Sequence, residues 1–194
     1  GIRRPGDAPA EMMLAPGKYL VSFASAGVIG KPEFQASPAK IAEPKVLEQN
    51  FELPATAILI EAEAAVNSSS PPPDIVDRNR TSGGKISSNW SESGKFAEWD
   101  FTVAEPGQYR LLFRTASSTG RIVRVFTIDG RSPSPELGAV RYGSTGGFGY
   151  EDAEWRWMEV PVPFELAAGK HRLKCLMLDG TANFDCFALV KINR

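Results

Sequence analysis

The sequence is poor in the residues that most hydrolytic and metal chemistries use. Of 194 residues, one is histidine, His171, and two are cysteine, Cys175 and Cys186. A single histidine removes most catalytic triads and zinc-hydrolase sites. Two cysteines exclude a disulfide scaffold and cysteine-rich zinc sites. His171 stands just after a turn and before a strand, where a surface strand residue is the simplest reading. No charge of one sign dominates, since 22 Lys and Arg face 23 Asp and Glu. Without a basic block nothing neutralises phosphates, so nucleic acid is not an expected partner. No apolar run approaches the ~20 residues of a membrane-spanning helix, so no membrane span is expected.

The chain is instead finely punctuated. Residues 1–13 are polar, with an arginine pair, and read as a tail. Residues 14–23 read as a turn followed by a strand. Residues 30–54 carry Pro32, Pro38, Pro44 and Pro54 without a clear period. Proline fixes φ and removes a donor, so this stretch reads as an extended linker or surface-wrapping segment. Residues 1–55 are therefore expected to be a tail, short strand and proline-rich linker, and fit the end of a preceding β-domain. Residues 56–194 are expected to form one domain.

From Ala57 onward, short runs of β-branched and aromatic residues recur at period two. They include Ile58-Leu59-Ile60-Glu61-Ala62-Glu63, residues 95–103, 108–114 and 121–128, Trp155 to Val162, and 170–178 with 184–191 as a last hairpin. Residues 95–103 alternate imperfectly, which suggests a bulge. Asp129-Gly130 closes one strand with a strong hairpin signal. About eight short strands and no convincing amphipathic helix predict an all-β antiparallel sandwich or barrel. Trp99, Phe101, Tyr109, Leu111, Phe113, Phe126, Ile128, Leu173, Cys175, Met177 and Phe187 are its expected core. Cys175 and Cys186 fall at mirrored distances from the 179–182 turn and are expected as cross-strand neighbours. A disulfide and two buried free thiols both fit.

Two carboxylates two residues apart on a strand, Glu61 and Glu63, point to the same side. Each raises the other's pKa unless a cation neutralises the pair, and calcium suits such an oxygen site. The plain alternative is an edge strand with two solvated glutamates. Aromatic planes that could meet the C–H face of a sugar are Trp90, Phe148, Tyr150, Trp155 and Trp157. Trp90 lies in the polar stretch Asn89-Trp90-Ser91-Glu92-Ser93-Gly94, which fits either an exposed plane or a ring packed under its own loop. Trp155 and Trp157 share a strand face, so both could be core. Glu151, Asp152 and Glu154 are clustered acids in a loop, but no spacing singles out a hydrolase pair.

Several motifs recur in a familiar order. They are Ile60-Glu61-Ala62-Glu63, Ser82-Gly83-Gly84-Lys85, Gly94-Lys95-Phe96-Ala97-Glu98-Trp99, Pro106-Gly107-Gln108-Tyr109, Ile128-Asp129-Gly130, Leu166-Ala167-Ala168-Gly169-Lys170-His171 and Asn183-Phe184-Asp185. Over residues 57–192 the chain resembles the galactose-binding-like carbohydrate-binding modules of families 6 and 35. The resemblance implies an antiparallel jelly-roll β-sandwich that is not an enzyme. It implies a structural calcium held by Glu61, Glu63 and Asp185, with backbone carbonyls near Lys85. It implies that Trp90 stacks on sugar and that Asn183 bonds sugar hydroxyls, although asparagine also suits a hairpin turn. Trp157 matches the second of the family's paired tryptophans. Glu154 stands where the first should be, and Trp155 is one residue off, which departs from the pattern. Tyr150 lies in a glycine-rich loop beside these positions. The implied partner is an oligo- or polysaccharide, with a tethered catalytic domain and a secreted, extracellular or periplasmic location. A structural or protein-binding spacer within a larger extracellular enzyme is the competing expectation.

Overall fold

The computed structural model describes residues 41–192, and before them the backbone of two short strands, β1 (Lys18–Leu20) and β2 (Glu33–Gln35). These two pair antiparallel, Tyr19 opposite Phe34. They belong to a separate compact unit, residues 1–39. The polar tail at 1–13 lies outside the described residues, as do residues 30–32 and 36–40 of the proline-rich stretch.

The second unit is a sandwich of two antiparallel sheets. Its strands are β3 (Lys45–Val46), β4 (Ile58–Glu61), β5 (Asn67–Ser68), β6 (Asp74–Asp77), β7 (Lys85–Ser88), β8 (Phe96–Val103), β9 (Gly107–Ala116), β10 (Ile122–Ile128), β11 (Val140–Tyr142), β12 (Arg156–Glu159), β13 (Phe164–Leu166), β14 (Gly169–Asp179) and β15 (Asn183–Lys191). One sheet runs β11-β10-β14-β8-β5. The other runs β3-β12-β9-β15-β7-β6, with β13 added to β9 and β4 added to β15. Three single 3-10 turns are the only helical elements among the described residues. This is the all-β sandwich that the strand cadence predicts.

Period-two alternation builds the core. Along β8, Ala97, Trp99, Phe101 and Val103 point inward. Trp99 packs on Phe187 with ring centroids 4.6 Å apart, and its indole N–H donates to the Ala62 carbonyl. Every residue named above as expected core is buried. Each large apolar side chain so placed contributes roughly 1.5–3 kcal/mol. The outward positions of the β11–β5 sheet carry an ion-pair ladder instead, Arg172 with Asp100 and Lys174 with Glu98. The turn at Asp129-Gly130, closed by the single Ile128–Arg131 bridge, has positive φ at both residues, 53° and 76°, the conformation for which this dipeptide is suited.

Four expectations need correction. β8 alternates without a break, and the bulges fall in β10 at Val123/Arg124 and in β15 between Phe184 and Cys186. β14 and β15 are not a paired hairpin: β14 lies between β10 and β8, while β15 lies in the opposite sheet between β9 and β7. Cys175 and Cys186 therefore occupy different sheets and are two buried free thiols. Residues 41–55, read as linker or surface-wrapping segment and placed outside the domain, are joined to the sandwich, as the second of those readings has it. β3 pairs with β12, Ala42 bridges Val140, and the Leu47 N–H donates to the Trp157 carbonyl.

Candidate functional site: a groove beside an acidic cluster

Phe113, Met158 and Phe187 enter the core, so their strand neighbours face outward. Register then places four outward residues in one row across four strands: Trp157 on β12 opposite Arg114 on β9, Arg114 opposite Cys186 on β15, and Cys186 opposite Glu61 on β4. One end of this row opens into a groove and the other into a cluster of acids.

The cluster forms where β4 meets the 78–84 loop. The strand predicted through Glu63 ends at Glu61, and a 3-10 turn at Ala62–Ala64 carries Glu63. Both glutamates nevertheless reach Gly83, where a Cβ would collide with the Glu63 carboxylate and lie 3.7 Å from Glu61 Cδ. The β15 bulge supplies the third acid. Phe184 pairs with Thr115 and Cys186 with Arg114, so Asp185 is the extra residue that the bulge re-aims. Ser82 ties the acids together, its N–H donating to Asp185 Oδ1 at 2.8 Å and its hydroxyl to Glu61 Oε1 at 2.6 Å. Arg114 Nη1 donates to Asp185 Oδ2 at 2.6 Å.

Two oxygens remain buried without a partner, Glu61 Oε2 and Glu63 Oε2. Burial raises the pKa of Glu63, and the charges of Glu61 and Asp185 add to it against its own backbone hydrogen bond and Lys85. Burial also raises that of Asp185, opposed chiefly by Arg114. Burial, with Asp185 and Glu61 beside it, pushes the Cys186 thiol far up, so it stays protonated. The donors on offer are hard oxygens, which fit a calcium ion. Glu61, Asp185 and Cys186 bring ligand atoms within 4.8 Å of one another; both Asp185 oxygens already accept hydrogen bonds, from Ser82 and Arg114, which leaves Glu61 Oε2 and Glu63 Oε2 as the open carboxylate donors. The Lys85 side chain is engaged elsewhere, with Nζ 2.7 Å from Asp77 Oδ1.

The groove, about 340 Å³, is lined by half-buried Phe51 and Trp157, exposed Leu59, Arg80, Arg114 and Asp185. Phe51 meets Trp157 edge-on at 6.0 Å. Both rings line the groove.

The other expected ligand residues are placed differently. Trp90 is 0% exposed. It packs edge-on against Phe184 at 5.4 Å and donates its indole N–H to Ser87 Oγ. Trp155 is likewise buried, donating to the Gly149 carbonyl beneath the glycine-rich loop. Of the two readings open for each, Trp90 takes the ring packed under its own loop and Trp155 the buried one, although Trp155 still lines the groove; a loop-borne indole can bury itself when a hydroxyl or carbonyl satisfies its N–H. Asn183 is buried, and its amide donates to the Phe148 carbonyl at 2.7 Å, which anchors the loop. Tyr150 is 70% exposed, with the Arg78 guanidinium 4.0 Å from its ring centroid. Glu154 does not face a cleft as a free acid. Its Oε2 accepts backbone N–H groups of Gly149, Tyr150 and Glu151 and so folds that loop.

Phe51, Leu59 and Arg80 were not singled out from sequence. The available signal was Phe51 and Leu53, two apolar residues at period two inside a stretch read as linker.

No family model matches the sequence, and no curated protein matches it. Solved structures do. The family 6 module of Cellvibrio mixtus lichenase 5A, in complex with cellotriose, aligns with a TM-score of 0.55 at 20% identity, over 70% of this chain and 97% of that one. A family 35 module from Clostridium thermocellum aligns at 0.58 and 18% identity, over 71% of this chain and all of that one. The C-terminal family 6 module of LamC from Zobellia galactanivorans aligns at 0.53 and 14% identity, over 70% and 100%. The sandwich has the fold of the family 6 and family 35 carbohydrate-binding modules. At these identities the likeness is one of fold. No helix among the described residues is long and apolar enough to cross a membrane.

Proposed function

We propose that this sandwich is a non-catalytic glycan-binding module whose ligand lies in the groove along Trp157. The observation that carries this reading is the groove itself. A half-buried indole and Phe51 offer apolar surface, and Arg80, Arg114 and Gln49 line the same space with donors. Sugars present this same combination, a C–H face with a hydroxyl rim. A shallow groove desolvates few groups, so affinity per site is on the order of micromolar to millimolar. Tethering to a polysaccharide-active enzyme in a secreted, extracellular or periplasmic setting would supply avidity. Glu61, Glu63 and Asp185 would hold a calcium whose role is to neutralise buried carboxylates and tie β4 to β15.

The test is a glycan array in calcium, repeated with Trp157→Ala and Tyr150→Ala. Binding by the wild type that Trp157→Ala abolishes supports the reading. Binding untouched by Trp157→Ala removes the groove as the site. A second reading, a structural spacer in a larger enzyme, is favoured by the interior positions of Trp90, Trp155 and Asn183. A silent array together with calcium-dependent stability selects it.

A further inference from the structure

The segment that joins β3 to β4 has to cross a sheet. β3 is the edge strand beside β12, whereas β4 lies beside β15, and β12, β9 and β15 stand between them. At 4.7–4.9 Å per strand the crossing is roughly 19 Å. Residues 47–57 reach roughly 36 Å when extended. Two tight turns take up the slack, with the Phe51 N–H donating to the Glu48 carbonyl and the Ala57 N–H to the Pro54 carbonyl. The inner face of the sheet is filled by Phe113, Met158 and Phe187, so the crossing runs over the outer face. There Glu48, Gln49, Phe51 and Leu53 line the groove together with Trp157.

The crossing is held at its ends and only lightly in its middle. The Leu47 N–H fixes one end to the Trp157 carbonyl at 2.9 Å, and the pairing of β4 with β15 fixes the other. Between them, among the described residues, no backbone–backbone hydrogen bond joins residues 48–57 to the sandwich. Two side chains make the connection instead. Gln49 donates its amide to the Asp152 carbonyl at 2.9 Å and accepts from Arg156 Nη1. Phe51 meets Trp157 edge-on. Glu48, Asn50, Glu52 and residues 54–56 are exposed. A stretch with few buried contacts and no shared backbone ladder opens at much lower free energy than the sheet beneath it. Trp157 therefore rides on a rigid strand and Phe51 on a segment that can lift. The segment also precedes residues 57–192, over which the chain resembles the family 6 and 35 modules, so it is an addition to that likeness.

We propose that residues 48–53 are a strap that closes over a glycan in the groove, with Phe51 as a ring that sets affinity and Gln49 as the clasp that holds the strap down. The inference rests on the groove being the glycan site. It goes further by placing affinity-determining residues outside the strands and by giving the site a moving part. A glycan that touches Phe51 only in the closed form shifts the population toward that form, so ligand and strap order each other.

The experiment pairs hydrogen-exchange mass spectrometry with affinity measurement on the full chain. The probes are the hexasaccharides of cellulose, xylan, β-1,3-glucan and mannan, each in calcium. In the free protein, amides in residues 48–56 should exchange much faster than those of β9 and β15, and saturation with a binding hexasaccharide should slow them at least about threefold. Phe51→Ala should weaken that hexasaccharide about fivefold and Gln49→Ala about threefold, whereas Phe51→Tyr should bind as the wild type does. Trp157→Ala, measured beside them, separates the strap from the groove. Binding lost in Trp157→Ala but unaltered in Phe51→Ala and Gln49→Ala overturns the strap and leaves the groove standing. Tighter binding by Phe51→Ala also overturns it, because the strap would then compete with the ligand. A strap that exchanges equally fast at saturation overturns the closure. Binding indifferent to Trp157→Ala, or no binding by any of the four hexasaccharides, removes the groove reading and the strap with it.

Discussion

Arg114 Nη1 donates to Asp185 Oδ2 at 2.6 Å, joining β9 to the bulge of β15. Asp185 is fully buried, and Arg114 is 20% exposed. Removing one partner of such a pair leaves a buried charge uncompensated, which costs about 3–5 kcal/mol when both groups are dry. Partial exposure of Arg114 puts this case at the low end. Arg114→Gln is expected to lower the unfolding free energy by about 3 kcal/mol. Asp185→Asn in the same chain should recover part of that loss. Urea unfolding of the two single variants and the double variant measures the coupling; an unchanged midpoint for Arg114→Gln would show the pair to be irrelevant to stability.

Cation removal should act through Glu61 and Glu63. Their buried, partnerless oxygens make the apo cluster a source of repulsion. Calcium at 100 times its Kd should add about 2.7 kcal/mol. The Glu61→Gln/Glu63→Gln double variant should lose that increment and be at least as stable as wild type in EGTA. Because the folded pKa of Glu63 is raised, the protonated cluster's stability is complete below the ordinary value of 4.5. It is lost as pH rises through the folded value, so the calcium increment should grow across that window. Calorimetric melting in calcium and EGTA reads all of this, and a melting temperature blind to calcium would end the calcium proposal.

The sandwich was legible in the sequence because alternation and turn residues encode it locally. Ala97, Trp99, Phe101 and Val103 alternate inward, and Asp129-Gly130 declares its own turn. What was not legible depended on which strands meet. The 170–191 segment reads as a hairpin, yet β14 and β15 part company into opposite sheets, because the partners that win are β8, β10 and β9. Glu61 and Glu63 do converge, although by a 3-10 turn and not by strand alternation. Trp90 shows the limit of reading polarity around an aromatic. Its neighbours are polar, but Ser87 satisfies the indole N–H and Phe184 takes the ring. Phe51 owes its place to residues 41–55 being joined to the sheet at β12, which no local pattern announces, whereas Leu59 faces outward from β4 opposite Ala188.

The two tryptophans Trp90 and Trp157 should therefore separate stability from binding. Trp90→Ala removes a fully buried indole and is expected to cost about 3–5 kcal/mol. Whatever fraction stays folded should bind glycan as the wild type does. Trp157→Ala, half-buried at the groove, should cost less than about 1.5 kcal/mol and lose binding. Unfolding curves paired with affinity electrophoresis on polysaccharide gels check both. Lost binding in a fully folded Trp90→Ala protein would return that ring to the ligand site.

His171 should give the fold a pH dependence remote from the groove. Its Nδ1 lies 2.7 Å from Asp129 Oδ2 and its Nε2 2.9 Å from the Ala167 carbonyl. Both partners are acceptors only, so both ring nitrogens must donate and the imidazolium is the favoured form. Burial alone would lower its pKa; the Asp129 and Ala167 hydrogen bonds and the Asp129 charge outweigh it and raise the value above 6.5. A folded pKa above the unfolded one contributes stability that is complete below the unfolded value and is lost as pH rises through the folded value. The stability gap between wild type and His171→Gln should therefore be largest near pH 5 and close toward pH 9. It should be only about 1 kcal/mol, because Asp129 is half exposed. Urea unfolding at three pH values decides the matter, since a gap that widens with pH would mean that the neutral ring is the bound form.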